Sequence, residues 1–489
     1  MGLTKRSVRS VKWNTLATLM GFPLSFIQSV VLVRWLPVEA FGTFAAVNSI
    51  ISLSSTFFEF GLSNAYIHRA PEMQDEEHSS AVYFTLRLIF DSAWAVILLV
   101  FSLVAMTGLR QLVLIFLVIT GYLYKFTAVP QAMLIRRVNH RRLAVFSIVA
   151  NFAVATSSIA VAWFTRSIWA LLVSSVIMLV WGVIAFYIWK PFWRPRLAWD
   201  RGTVRYFLGF GSQNLFNGTL DAALDNSDNL WTGYFLGDQL LGYYSRAFRF
   251  AIYPRILFTT PINSVAVGTF AELKFDRLRL SKAFFRTSVL LTRIGCLLGG
   301  LLTIIAPQFI TIIMGEKWLP MLVPFRLMLI FSLLDPIRVL TSSVLLAVGK
   351  PEKVTQVRVL QLIILFISLF ALGFVYGING VALSMSLMII VGVLLSLHII
   401  REYVDFSTMR LFGPPFLALM AGIGLYGLVA TFWNVSRSSW LTLAVNTLTF
   451  CFGYLVLLFA LEGKTLYQYF LQVVDLPGMA KQARRLFRI

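Results

Sequence analysis

The chain has 489 residues, of which 58% are hydrophobic and 13% charged, with a mean hydropathy of +0.80. Soluble domains carry roughly 25% charged residues, so a chain this apolar cannot clothe itself in polar surface, and its solvent is lipid. The net charge of +21 does not point to nucleic acid, because the basic residues fall between apolar stretches and not along one face.

A spanning helix needs about 20 mostly apolar residues. Fourteen segments meet that rule: 13–34, 41–66, 81–106, 111–133, 144–164, 168–189, 204–233, 240–270, 284–313, 321–347, 355–375, 379–400, 412–432 and 440–461. The first follows Lys5, Arg6, Arg9 and Lys12. Its apolar stretch is too long for a secretory leader and has no small-residue cleavage site, so it reads as a membrane helix. The seventh and eighth segments are the least apolar. The loops are short, and none holds a soluble catalytic domain. Cys296 and Cys451 sit in apolar runs as packing residues.

Charge placement orients the spans. With the N-terminus cytoplasmic, twenty-nine Lys and Arg lie on that side, led by Arg136, Arg137, Arg141, Arg142, Lys190, Arg194, Arg196, Arg201, Arg205, Lys274, Arg277, Arg279, Lys282 and Arg286. The other side has only Arg34, Arg110, Arg166, Lys317 and Arg437. Such a bias places both termini in the cytoplasm. The acidic 2–3 loop, with Glu72, Asp75, Glu76 and Glu77, counts little toward orientation. Trp35, Trp163, Trp169, Trp318, Trp433 and Trp440 fall at predicted outer ends, and Trp13, Trp189, Trp193 and Trp199 at inner ones, as interfacial rings do.

Residues 35–44, WLPVEAFGTF, align with 235–244, FLGDQLLGYY, at an offset of 200, matching Gly42 to Gly242 and Phe44 to Tyr244. A second pair, 163–171 and 374–382, follows in the same order. The expected organisation is two parallel six-helix lobes, 1–200 and 201–405, then an additional helix pair with a basic cytoplasmic tail, 406–489. Repeats of this kind place a substrate cavity between lobes that rock to give alternating access. The fold class is therefore all-α, a polytopic membrane protein of about fourteen transmembrane helices.

Eight basic residues fall inside the spans: Arg87, Lys125, Arg246, Arg249, Arg255, Arg293, Arg326 and Arg338. Each costs about 2.5–3.5 kcal/mol at a helix centre, so as a set they point to an aqueous cavity. Arg87 lies four residues from Asp91, and Arg338 three from Asp335, spacings that allow pairing on one helix face. Arg246, Arg249 and Arg255 have no carboxylate on their own span, and their forked guanidiniums suit a phosphate or pyrophosphate. In the seventh span, Asn214, Asn217, Asp221, Asp225 and Asp228 recur at helical spacing, with Asn226 and Asn229 beside them. A stripe of this polarity does not face lipid. Its amides suit sugar hydroxyls, and its carboxylates suit either a coupling proton or sodium ion, or arginines across the lobes. Glu59 and Asn64 fit a helix-packing contact somewhat better than a gate. His68, His78 and His140 lack metal-ligand spacing, and no GxxxxGK(S/T) loop is present for ATP hydrolysis. No cofactor or metal is expected.

Several stretches resemble the oligosaccharide flippase (polysaccharide transporter) family of the multidrug, oligosaccharidyl-lipid and polysaccharide exporter superfamily. They are LPVEAFGTF, FFEFGLSNAYIHR, LDNSDNLWTGYFLGDQLLGYYSRAFRFAIYP, MGEKW at 314–318 and LLAVGKPEK at 345–353. Exporters of the colanic-acid, teichuronic-acid and succinoglycan type are the nearest likeness. The resemblance implies a V-shaped two-lobed fold in a bacterial cytoplasmic membrane, and translocation of a polyprenyl-pyrophosphate-linked oligosaccharide. It carries Asn226, Asp228, Asn229, Gly233, Gly237, Gly242 and Tyr244 over as motif positions. Glu59 stands where the family often has aspartate, and Tyr234 where it often has arginine. Membrane lipids are implied partners, and polysaccharide polymerase or export proteins are expected neighbours. A cation-coupled drug exporter would carry a predominantly acidic cavity. A membrane glycosyltransferase or polymerase would carry a large outer catalytic loop. A non-transporting scaffold for an assembly complex is the remaining alternative.

Overall fold

The computed structural model describes residues 3–69, 76–137, 139–189, 191–432 and 440–474. Glu72, Asp75, Lys190, Trp433, Arg437 and the tail 475–489 lie outside these residues, as do the side chains of Lys5, Arg6, Arg9 and Lys12. Among the described residues every regular element is helical, as expected where lipid forces backbone groups to bond within their own segment. In chain order the helices are α1 (Leu3–Trp35), α2 (Val38–Glu59), α3 (Leu62–His68), α4 (Glu76–Ala105), α5 (Gly108–Lys125), α6 (Ala128–Arg136), α7 (His140–Thr165), α8 (Trp169–Val183) and α9 (Arg201–Phe235). There follow α10 (Asp238–Ala251), α11 (Thr260–Leu273), α12 (Arg277–Gln308), α13 (Leu322–Ala347), α14 (Pro351–Ser368), α15 (Phe374–Ile400), α16 (Thr408–Phe432) and α17 (Trp440–Val474).

Ten stretches of the described residues are long and apolar enough to cross a membrane, against fourteen expected. The four differences have visible causes. Only Met20–Trp35 of α1 qualifies as apolar, and it is short. The polar α9, and α10 with α11, fall outside the criterion. The fourth is Pro351–Ile400, one 50-residue stretch that takes in both α14 and α15, with Gly377 (φ 56) breaking the helix just inside α15. The outer skin is apolar, with Val104 82%, Phe164 84% and Phe432 89% exposed; such surface belongs in hydrocarbon.

Contacts divide the chain into two compact units, Met1–Gly242 and Tyr243–Ile489. In the first, α1 packs on α7, α7 on α8, α4 and α8 on α5, and α2 on α4 and α5. Helix α9 also belongs here, running antiparallel to α2, with Gly233 against Ala46, Asn226 on Ser52, Gly218 near Thr56 and Gly211 against Phe60. In the second unit α13 packs on α12 and α15, and α16 and α17 pack on each other and on α12 around Phe450 and Tyr454. Helix α10 begins in one unit and ends in the other.

The stretches aligned at an offset of 200 meet each other within the first unit. A Cβ on Gly42 would collide with the carbonyl of Asp238, and one on Gly242 with the carbonyl of Val38. Val38 aligns with Asp238 and Gly42 with Gly242, so the approach is reciprocal: each glycine sits on the residue that opens the other helix. Without side chains at these points, the first turns of α2 and α10 touch backbone to backbone, as small residues permit in membranes. Thr43 Oγ1 donates to Asp238 Oδ2 at 2.8 Å beside them.

Two of the tryptophans at helix ends are buried among other side chains. Trp193 is 6% exposed, packed on Phe84, and Trp318 is fully buried against Tyr243. Both act as core rings.

Candidate functional site

The eight intramembrane cations do not form one set. Their partners, on their own helix and on others, sort them.

Arg87 and Lys125 join an alternating chain of charge in the first unit. Lys125 Nζ lies 2.9 Å from Asp91 Oδ1, Arg87 Nε 3.0 Å from Asp91 Oδ2, and Arg87 Nη1 3.6 Å from Glu59 Oε1. Trp94 holds the ammonium from behind, 3.7 Å from ring centroid to Nζ, a contact that strengthens with desolvation. Two cations and two carboxylates sum to zero. A small recess beside them is lined by Phe84, Arg87, Leu88, Asp91, Tyr122, Lys125 and Phe126. The expected surplus of positive charge is absent here, because α2 supplies Glu59 and one aspartate serves two cations.

Arg293 and Arg326 have a different task. In an α-helix the N–H of residue i bonds the carbonyl of i−4, and proline has no N–H to give. Pro414 and Pro415 therefore orphan the carbonyls of Arg410 and Leu411. Arg293 reaches both from α12, with Nη2 2.8 Å from the Arg410 oxygen and Nη1 2.7 Å from that of Leu411. The same Nη2 and the Nε donate to the two carboxylate oxygens of Glu462 of α17, at 2.7 and 3.0 Å. Pro307 likewise orphans the Thr303 carbonyl, which accepts from Arg326 Nε at 3.0 Å. Pro130 orphans that of Phe126, which accepts from Tyr187 Oη at 2.6 Å. Neighbouring side chains re-satisfying proline-freed groups is how membrane helices tolerate proline. These contacts make Arg293 a structural clamp, not the substrate ligand expected from sequence, and they give Arg326 a backbone partner.

Surplus charge lies in the second unit. Arg255 Nε and Arg338 Nε approach the two oxygens of Asp335 at 3.0 and 2.7 Å, and that aspartate is fully buried. Two guanidiniums on one carboxylate leave a net positive charge, and the arginines are 29% and 20% exposed. Arg255 opens a wide π-type turn, Arg255–Thr259, after α10; such turns concentrate at functional sites. Arg249, near the end of α10, is exposed, and Arg246 on the same helix is half-buried.

The polar stripe of α9 is divided by burial. Asn214, Asn217 and Asp221 are half-buried and Asp225 is exposed, whereas Asp228 is 1% exposed. Asn214 Nδ2 donates to the Phe210 carbonyl at 3.0 Å. Asn226 Nδ2 donates to the Ala222 carbonyl at 2.8 Å and to Ser52 Oγ at 3.3 Å, tying α9 to α2. Asn229 is half-buried. Gly233 packs on Ala46 and Leu241, Gly237 (φ 87) turns α9 into α10, and Tyr244 is fully buried. The motif positions with described contacts thus hold the α2–α9–α10 packing.

One polar clasp escaped the sequence reading. Arg110, taken as an interfacial loop residue, bonds Asp238 at 2.7 and 3.0 Å and caps the α9 C-terminus through the Gly233 carbonyl at 2.8 Å. Glu462 was missed too. An apolar run that ends on a lone acid was the available signal.

An all-helical, apolar-skinned fold with ion pairs buried among its helices defines a polytopic membrane protein. The chain belongs to the polysaccharide biosynthesis protein family, whose model matches residues 31–323. It is 24% identical to the lipopolysaccharide biosynthesis protein WzxC of Escherichia coli (strain K12), covering 84% of each chain. It is 23% identical to the teichuronic acid biosynthesis protein TuaB of Bacillus subtilis (strain 168), over 93% of this chain and 96% of that one. Among solved structures, lipid II flippase MurJ in an inward closed conformation superposes with a TM-score of 0.74 at 15% identity, covering 92% of this chain and 98% of that one. An inward-facing multidrug resistance MATE transporter of the MOP superfamily gives 0.58 at 15% identity, over 78% and 94%.

Proposed function

We propose that this protein flips a polyprenyl-pyrophosphate-linked oligosaccharide repeat unit across the bacterial cytoplasmic membrane by alternating access, for polysaccharide export, with both termini in the cytoplasm. The observation that carries this reading is the Arg255–Asp335–Arg338 triad, in which two guanidiniums share one buried carboxylate. A guanidinium pair of this kind suits a pyrophosphate, which accepts forked hydrogen bonds. Arg249 on the preceding helix adds charge to the same region of sequence. The prenyl chain stays in lipid, so no site for it is required inside the protein. A potential negative inside favours outward movement of the anion by about 2.3 kcal/mol per charge per 100 mV. No bond is made or broken.

Relatives named for lipopolysaccharide and teichuronic acid biosynthesis, and a structural neighbour named as a lipid II flippase, support a lipid-linked glycan. A cation-coupled drug exporter would need an acidic site, and the triad has the opposite sign. Asn214 and Asn217 are assigned to sugar hydroxyls. Asp221 and Asp225, accessible on α9, are assigned to a coupling proton or sodium ion. Polysaccharide polymerase and export proteins are the expected working partners.

The test is binding in lipid nanodiscs. Wild-type protein binds a polyprenyl-pyrophosphate oligosaccharide in preference to the same glycan on an uncharged anchor, and Arg255→Gln weakens it about tenfold, the loss of one charge-assisted bond. Equal affinity for both anchors contradicts the reading.

A further inference from the structure

Two prolines shape one surface of the first unit. Pro191 and Pro195 lack amide hydrogens and disfavour helix in the residues before them, and residues 191–200 run without regular structure to the Asp200 cap of α9. The inner side of this strap is held. Trp193 packs on Phe84 with ring centroids 5.5 Å apart, and the Ala198 amide donates to Thr85 Oγ1 at 3.0 Å. Arg142 Nη2 donates to the Trp189 carbonyl at 3.0 Å, and Arg196 Nη1 stands 2.6 Å from Glu77 Oε1. Tied in this way to α4 and α7, the strap has a fixed outward face.

That face is both apolar and cationic. Leu197 is 70% exposed and Trp199 58%, and Arg194, Arg201 and Arg205 are exposed in the same stretch. Arg194, Arg196, Arg201 and Arg205 bring four positive charges, against two negative ones from Asp200 in the strap and Glu77 facing it. Positive charge is in excess. Water is a poor solvent for bare leucine and tryptophan, and hydrocarbon is a poor one for arginine. The headgroup layer takes both, with rings and apolar chains at the acyl boundary and guanidiniums on phosphate. The depth agrees, since the strap follows directly on the apolar span Trp169–Ile188.

We infer that this strap docks on anionic phospholipid, with Leu197 and Trp199 in the headgroup–acyl boundary and Arg194, Arg201 and Arg205 on the phosphodiesters of a phosphatidylglycerol-type lipid. Each arginine near an anionic surface strengthens attachment about fivefold. Because the strap is anchored on α4 and leads into α9, lipid bound to it stabilises the folded first unit by mass action. Docking of this kind is independent of whether a glycan is flipped.

The experiment uses the full-length protein in nanodiscs of phosphatidylcholine, alone or mixed with phosphatidylglycerol in both leaflets, so that orientation does not enter. With Cys296→Ala and Cys451→Ala, Leu197→Cys is the one site for a nitroxide label, whose relaxation by oxygen and by a water-soluble nickel complex reads depth. The label is expected at the headgroup–acyl boundary, favouring oxygen, and deeper when phosphatidylglycerol is present. Arg194→Gln with Arg201→Gln and Arg205→Gln removes the phosphatidylglycerol effect, and high salt weakens it. A second readout needs no label and keeps both cysteines. Phosphatidylglycerol raises the unfolding midpoint of wild type and not that of the triple arginine variant, while the two midpoints in pure phosphatidylcholine agree. A label open to the nickel complex in both lipids places the strap in water and overturns the proposal. A label at the boundary that responds neither to phosphatidylglycerol nor to loss of the arginines overturns the anionic partner, as does an equal rise in midpoint for wild type and variant.

Discussion

Arg293 donates to the Leu411 carbonyl at 2.7 Å, in the place of the amide hydrogen that Pro415 lacks. With its bond to Arg410 and its ion pair to Glu462, one side chain ties α12, α16 and α17 together and completes a broken helix.

Removing it exposes three deficits at once, two unbonded carbonyls and an unpaired, half-buried carboxylate. Arg293→Met is expected to destabilise the protein by about 3–5 kcal/mol, the range for breaking a buried pair on one side. Adding Glu462→Gln recovers part of the loss. So does Pro414→Ala with Pro415→Ala, which returns the missing amides. Thermal unfolding in detergent of the three variants checks this; failure of the proline replacements to recover stability contradicts the backbone role.

Arg326 and Tyr187 allow the same test with smaller effects. Tyr187→Phe deletes only the hydroxyl that serves the Phe126 carbonyl and is expected to cost about 1 kcal/mol. In a Pro130→Ala background, where Phe126 regains an amide donor, the cost falls toward zero. The coupling from a double-mutant cycle on unfolding midpoints reads the difference.

The reciprocal glycines predict equal sensitivity at two positions 200 apart in sequence. A Cβ at Gly42 or at Gly242 meets a backbone oxygen first. Gly42→Leu and Gly242→Leu should each cost several times more than Gly268→Leu, whose position is open, and overpacking typically costs about 1–3 kcal/mol. Fluorescence-detected chromatography of folded protein ranks the three.

Asp200 gives a pH-dependent prediction outside the membrane. It caps α9, accepting from the Thr203 hydroxyl at 2.6 Å and the Thr203 amide at 2.8 Å, and these hydrogen bonds hold its carboxyl below the usual carboxylate range. A group depressed on folding stabilises the native state above its unfolded value, and that contribution disappears as pH falls through the folded value. The difference in unfolding midpoint between wild type and Asp200→Ala should therefore be constant near neutrality and shrink on acidification. A difference that grows in acid contradicts the cap.

The helical, membrane-spanning character was legible because lipid selects long apolar runs; the matched stretches around Gly42 and Gly242 read as a duplication, and that they pack on each other was not legible. The roles of the buried cations were not. Arg293 and Glu462 lie 169 residues apart, and no local spacing brings Arg255 to Asp335. A signal did exist for Arg293, Arg326 and Tyr187, since Pro414, Pro415, Pro307 and Pro130 each announce an orphaned carbonyl that some donor must reach. Asp228 was grouped with Asp225 by helical spacing, yet packing buries one and exposes the other. Periodicity gives a face of a helix; it does not give what that face meets.

The most direct measurement is exposure of the head group in proteoliposomes loaded with a polyprenyl-pyrophosphate oligosaccharide labelled on its sugar. Wild-type protein should make the inner-leaflet pool accessible to an external quencher, faster with a potential favouring anion movement toward the quencher. Arg255→Gln with Arg338→Gln should abolish that access while Tyr187→Phe leaves it intact. Wild-type vesicles whose inner pool stays protected, or a double arginine variant that flips at the wild-type rate, would contradict the account.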